Sequence, residues 1–276
     1  MNKLISSHFA RLRKDKLFWL CTTVIFVYAI LNMLNGGRQA NADMTEYHYT
    51  LDIYYFRFTL SIGAFISIFS SMFWGTEYSD GAIRNKIIIG HTRRAIYLSN
   101  LLITFLSALW MLLVWMIGSL IGIPFLGTWK MGTGQLFTYL LAAIFMTAAF
   151  CAIFTLVNQL SSNKATTAIV SILLFFGLLL LANLIYNRLK EPEMTSGLIL
   201  TVDGMDWGEP TPNPYYISGT TRNIYEFLAD FLPTGQGIKI SFLEITRPLR
   251  MILSSLFITV SVTLSGLWFF SRKDLK

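Results

Sequence analysis

The chain has 276 residues, of which 54% are hydrophobic and 13% charged, with a formal charge of +7. A soluble domain carries about 25% charged residues, so this sequence lacks the polar coat of a water-facing surface, and its apolar content excludes disorder. In a soluble protein the positive balance would raise nucleic acid as a partner. Here the cations are spread along the chain in a way that fits membrane topology and not nucleic acid.

Residues 1–16 come first. Leu4, Ile5, Phe9 and Leu12 share one helical face, while Lys3, Arg11, Arg13 and Lys14 fall elsewhere. That pattern fits an amphipathic helix lying in the cytoplasmic membrane interface, and a plain basic anchor is the simpler alternative. Six runs are then long and apolar enough to span about 30 Å of hydrocarbon: about 17–34, 58–75, 97–126, 136–160, 166–186 and 251–270. A cleaved signal peptide is the alternative for the first, but Asn32, Leu34, Asn35 and Gly36 offer no Ala-x-Ala site. The run at 97–126 is expected to tilt or to begin outside the lipid. Both termini are expected in the cytoplasm: the inner segments then hold 13 basic and four acidic residues, the outer ones nine basic and 11 acidic. Trp19, Trp74, Trp129 and Trp268 near span ends suit the interface.

The loop at 76–96 is the most informative stretch. Ser79 or Asp80 is suited to cap a helix and Gly90 to end it, which predicts about two helical turns between them. Ile83 and Ile87 share a face, and Arg84 and Lys86 project differently. So short a helix is not stable alone in water. It is either a docking element for the groove of a partner or a basic loop that only sets topology.

The segment 187–250 is expected outside. Its part around Pro192, Pro210, Pro212 and Pro214 reads as irregular. Helical spacing returns at 221–232 through Ile224, Phe227, Leu228 and Phe231, Pro233 and Gly235 break it, and 238–246 is apolar again. This predicts a helix, a turn and a second helix, dipping into the outer leaflet or forming an ordinary extracellular subdomain.

The six runs contain no Asp, Glu, Lys, Arg or His. Proton relays and ion-coupled carriers place such groups inside the bilayer. His8, His48 and His91 are far apart and read as solvated, as do Asp203, Asp206 and Glu209, the one acidic cluster a membrane enzyme could use. Gly118-x-x-x-Gly122 is a weak helix-dimerisation signal. The chain has no G-x-x-x-x-G-K-[ST] phosphate loop, so uphill transport needs energy from a partner or a gradient.

Taken together, these features resemble the permease subunits of the ABC-2 group of ABC transporters, the exporter-type fold also called type V. The resemblance rests on the six-span layout and on the second-span exit from Phe73 through Glu77-Tyr78-Ser79-Asp80-Gly81-Ala82-Ile83-Arg84-Asn85-Lys86. That exit is similar to an E-Y-x-x-G-T-I-R-x-K segment, with Ala82 in place of threonine. Leu232-Pro233-Thr234-Gly235-Gln236 and the ending Phe270-Ser271-Arg272-Lys273-Asp274-Leu275-Lys276 add to it. The resemblance implies an all-α permease at 1–276 with an interfacial helix at 3–14 and a coupling helix at 81–89 on a separate ATP-binding cassette subunit. It implies that Glu77, Tyr78, Gly81, Ile83, Arg84, Lys86 and Ile87 serve that coupling, with Arg84 and Lys86 facing acidic groups of the ATPase. A re-entrant hairpin at about 221–246, carrying Phe227, Phe231, Pro233 and Gly235, would close the outer end. A second permease chain, identical or paralogous, would complete the unit in the cell membrane. No cofactor is expected in this chain, since ATP and Mg would be bound by the partner, and no catalytic activity of its own. A stand-alone channel or secondary carrier is the alternative.

Overall fold

Hydrophobic length sets the architecture. The computed structural model describes all residues except Met1, 43–49, Thr128, Ser162, Gly197, 202–203 and 274–276. Among the described residues six helical segments are long and apolar enough to cross a membrane: Lys16–Ala40, Leu51–Ser79, Arg93–Leu126, Thr133–Leu160, Lys164–Lys190 and Pro248–Arg272. Each encloses one predicted run. The fold is an all-α polytopic bundle. His48, Asp203, Asp274, Leu275 and Lys276 lie outside the described residues.

In chain order, α1 (Asn2–Lys14) leads to Asp15, whose carboxylate accepts the Phe18 backbone N–H at 2.8 Å and so caps α2 (Lys16–Ala42). The second span is composite: α3 (Leu51–Phe56), a 3₁₀ turn at Arg57–Leu60, and α4 (Ile62–Ser79). A short α5 (Ala82–Ile88) follows. Thr92 accepts the Ala95 N–H to open α6 (Arg93–Ser119). That helix continues through a 3₁₀ turn at Leu120–Gly122 into α7 (Ile123–Leu126), and Gly127 ends it at φ 76°. Next come α8 (Thr133–Leu160) and α9 (Lys164–Lys190), the latter capped by Asn163.

The first part of the predicted outer segment is not irregular. It holds two antiparallel ladders, β1 (Met194–Thr195) with β4 (Thr211–Pro212) and β2 (Leu198–Thr201) with β3 (Gly204–Trp207). The run Leu198-Ile199-Leu200-Thr201 followed by Asp203-Gly204 is a hairpin signal that proline spacing obscured. Then come α10 (Gly219–Phe231), α11 (Pro233–Ser241) and α12 (Pro248–Arg272).

Helix α8 packs on α12, α6 and α4, while α9 lies along α4 and α2 along α6. The core between them is aromatic, with Phe69, Phe73, Trp74, Trp115, Phe150 and Phe154 fully buried. Glycine sets two of the close approaches. A Cβ at Gly63 would sit 2.5 Å from the Phe175 ring, and Gly118 and Gly122 press against Ala29 and Met33 of α2. The predicted dimerisation motif is therefore used inside the chain, because α2 and α6 must meet closely to bury Ile25, Ala29 and Met33.

Candidate functional site

The site forms where α4 leaves the bundle. The Ser79 hydroxyl donates back to the Gly75 carbonyl at 3.1 Å, and the Asp80 N–H donates to the Thr76 carbonyl at 2.9 Å. Neither residue caps α5, as the sequence had suggested. Gly81 holds that position at φ 68°, where a side chain would be strained. Its turn folds α5 back so that Lys86 returns to Glu77. Gly90, at φ 98°, ends the element as expected.

Two cationic side chains and a histidine converge on Glu77. Arg11 Nη1 donates to Oε1 at 2.6 Å, Lys86 Nζ donates to Oε2 at 2.6 Å, and His8 Nδ1 lies 3.4 Å from Oε1. Arg11 also donates through Nη2 to the Phe73 carbonyl at 2.7 Å and to the Thr76 hydroxyl, and its guanidinium lies 4.3 Å above the Phe73 ring. His8 sits edge-on to Trp74 at 4.9 Å. It is buried, not solvated, because α1 lies across the α4 exit with Leu4, His8 and Leu12 facing inward. Burial lowers the pKa of Lys86, and the Glu77 carboxylate opposes that shift.

Behind this cluster the Tyr78 hydroxyl donates to Gln159 Oε1 at 2.6 Å. Lys273 Nζ lies 4.5 Å from the Tyr78 ring centroid and donates to the Gln159 and Ser161 carbonyls at 2.9 and 3.1 Å. Burial pulls its pKa down to about 8. Arg93 donates to the Phe270 carbonyl at 3.2 Å, so the end of α12 is tied to the start of α6.

The predicted site residues divide into two groups. Ile83 is only 2% exposed and packs with Leu4, Ile96, Tyr97 and Phe270, with Tyr78 and Ile87 beside them. Lys86 is spent on Glu77. Both had been read as facing a partner, yet the chain uses them to fix α5 on α1, α4 and α6. Arg84 is exposed and makes no ion pair among the described residues. The outward apolar surface is Ile88 and Ile89, 81% and 77% exposed, which the sequence reading passed over. The signal was present: Ile87-Ile88-Ile89 cannot all share one helical face, so a half-buried Ile87 directs its successors outward. His8 and Arg11 were missed as site residues because they approach across 66 or more positions.

At the other end of the bundle, α10 and α11 make the expected pair of helices with different boundaries. Pro233 begins α11 instead of interrupting the chain, since proline at the first helical position gives up an N–H that has no partner there. Gly235 lies within α11 because a Cβ there would meet the Ala229 carbonyl oxygen at 2.5 Å. Phe227 and Phe231 stack at 5.6 Å. Asp230 is fully buried, accepts Lys239 Nζ at 2.5 Å and Arg250 Nε at 2.7 Å, and lies beside Gln236, which joins the Asp230 carbonyl to Met251 and Ser255 of α12. The Thr234 hydroxyl donates to the Leu178 carbonyl at 2.9 Å, and the Thr59 hydroxyl to the Gly237 carbonyl at 2.9 Å. The hairpin is thus fastened to three spans.

The sequence profile described as "ABC-2 family transporter protein" matches residues 4–178, from the first turns of α1 to the middle of α9. The chain belongs to the ABC-2 transporter family. This ABC-2 protein is a multi-pass membrane protein of the permease type, and the matched stretch contains every residue of the Glu77 cluster and all of α5. The hairpin lies beyond the match. A search of curated proteins finds no match to the chain.

Proposed function

We propose that this permease is the membrane half of an ATP-driven exporter, energised by an ATP-binding cassette subunit that docks from the cytosol on the tip of α5. The observation that carries the reading is the two-sidedness of α5: one side locked by Ile83 and Lys86, the other offering Ile88 and Ile89 with the exposed Arg84 beside them. Burying an isoleucine contributes about 1.5–3 kcal/mol, so two exposed ones on a turn this short make a handle that needs a cover. ATP and Mg belong to the partner, and the working unit pairs this permease with a second, identical or paralogous copy. On this reading both termini lie in the cytoplasm and the membrane is the cell membrane. The cargo is an amphipathic peptide or a hydrophobic small molecule.

In this scheme the ATPase moves α5, and α5 cannot move alone. Lys86 pulls on Glu77 and hence α4, Ile83 pulls on Tyr97 of α6 and Phe270 of α12, and Arg11 carries α1 along. Nucleotide binding then shifts the balance between two packings of stiff helices. The hairpin, fastened to Leu178, Thr59 and Met251, follows those helices at the outer end.

The test is co-purification with the ATPase from the native host. Ile88→Asp with Ile89→Asp abolishes association while thermal unfolding of the isolated chain is unchanged. Retained association, or transport by the lone chain in liposomes without an ATPase, overturns the reading.

A further inference from the structure

A groove of about 490 Å³ opens between α1, the first turn of α2 and the middle of α6. Phe9, Trp19, Leu106, Trp110 and Leu113 line it with Arg13 at its α1 end. Its few polar groups are internally engaged, apart from Arg13: the Ser107 hydroxyl, for instance, donates to the Ile103 carbonyl at 2.7 Å. Leu106 to Leu113 is seven residues, so the groove descends about 10 Å along α6 at 1.5 Å per residue. The Trp19 indole is fixed at the mouth by donating to the Arg13 carbonyl at 2.8 Å, and indole favours the boundary between hydrocarbon and water.

The mouth is cationic. Arg13, which lines it, and Lys14 beside it make no ion pair among the described residues. A shallow recess next to the groove is edged by Ala10, Arg11, Lys14 and Asp15. Asp15 is the one adverse charge there, and its Oδ1 is engaged by the Phe18 N–H.

An apolar slot with Arg13 at its mouth and Lys14 at the neighbouring recess matches one chemistry: an acyl chain below an anionic headgroup. We propose that this groove is a binding site for one anionic phospholipid of the inner leaflet, its chain along α6 and its phosphate beside Arg13. An occupied slot braces α1 from the lipid side, and α1 carries His8 and Arg11 into the Glu77 cluster. Bound lipid therefore tunes how firmly α5 is held. The proposal rests on the cytoplasmic placement of α1 given above. Lipid retention is measured on the isolated chain, so its failure is separate from failure of ATPase docking.

The experiment is native mass spectrometry of the full chain, released from detergent after incubation with equal phosphatidylglycerol and phosphatidylcholine. The expected result is one phosphatidylglycerol retained at least fivefold over phosphatidylcholine. Arg13→Gln lowers that retention about fivefold, the effect of one juxtamembrane cation. Leu106→Trp, which fills the groove from a half-exposed position, lowers it with unchanged thermal unfolding. Arg272→Gln, an exposed cation at the end of α12, leaves it unchanged. Equal retention of the two lipids, an Arg272→Gln loss equal to that of Arg13→Gln, or displacement of the lipid by a lipophilic cation taken as cargo would each overturn the proposal.

Discussion

Removing the Glu77 carboxylate is the sharpest perturbation the structure offers. The Glu77 side chain is 5% exposed, and its partners Arg11 and Lys86 are 32% and 17% exposed, each with a nitrogen 2.6 Å from a carboxylate oxygen. At an effective dielectric of about 20, unit charges at that separation attract by about 6 kcal/mol, most of it cancelled by the cost of taking them out of water. Breaking a buried pair from one side leaves the cancelled part exposed, and Glu77→Ala is expected to cost about 3–5 kcal/mol. Glu77→Gln keeps the shape and one acceptor, and is expected to cost less. The assay is denaturant titration of the chain in mixed micelles, run as a cycle of Glu77→Ala, Lys86→Ala and the double variant. If the charges act as a unit, the cycle shows a coupling of about 1.5 kcal/mol or more. Additive single losses, or a loss under about 1 kcal/mol for Glu77→Ala, would refute the reasoning.

Three further outcomes follow from named contacts. Gly63→Ala drives a methyl group to 2.5 Å from Phe175 and is expected to cost about 1–3 kcal/mol, whereas Gly177→Ala, with nothing within 4 Å, stays within about 0.5 kcal/mol; the same titration separates them. Asp230→Ala leaves Lys239 and Arg250 facing an empty buried site and lowers stability by about 3 kcal/mol, and adding Lys239→Met restores part of it. Lys273 has a folded-state pKa of about 8 against an ordinary 10.5, so the unfolded chain binds the extra proton between those values. Stability from this group therefore rises as pH goes from about 8 toward 10.5, and Lys273→Met removes that rise in pH-resolved unfolding.

The spans were legible because hydrocarbon demands about 20 apolar residues whatever the neighbours are. The faces of those spans were not. Gly118 and Gly122 carry the spacing of a contact between two chains, and only the position of α2 shows that Ala29 and Met33 already occupy it. Glu77 and Lys86 stand out at the α4 exit in the sequence, but their union depends on the positive φ of Gly81, which charge and periodicity do not encode. Arg11 and His8 reach Glu77 because α1 lies across the α4 exit, a tertiary fact with no local signature. Ile83 and Ile88 show the same limit: both are isoleucines of one short helix, and which is hidden depends on where Tyr97 and Phe270 stand. The two ladders between 194 and 212 were missed for a different reason, since proline spacing masked the Asp-Gly sequence signal between two short extended runs.

The Glu77 cluster has a consequence for biogenesis. Its members, His8, Arg11, Glu77 and Lys86, all belong to the opening third of the chain. Once the ribosome has delivered the second span to the bilayer, the ionic knot can be tied while four spans are still to be made. Its greasy lid closes much later, because Phe270 belongs to the sixth span. A nascent chain stalled just after Lys86 clears the ribosomal exit tunnel should already resist labelling of Lys86 by an amine reagent, and Tyr97 should be shielded only once the sixth span is in place.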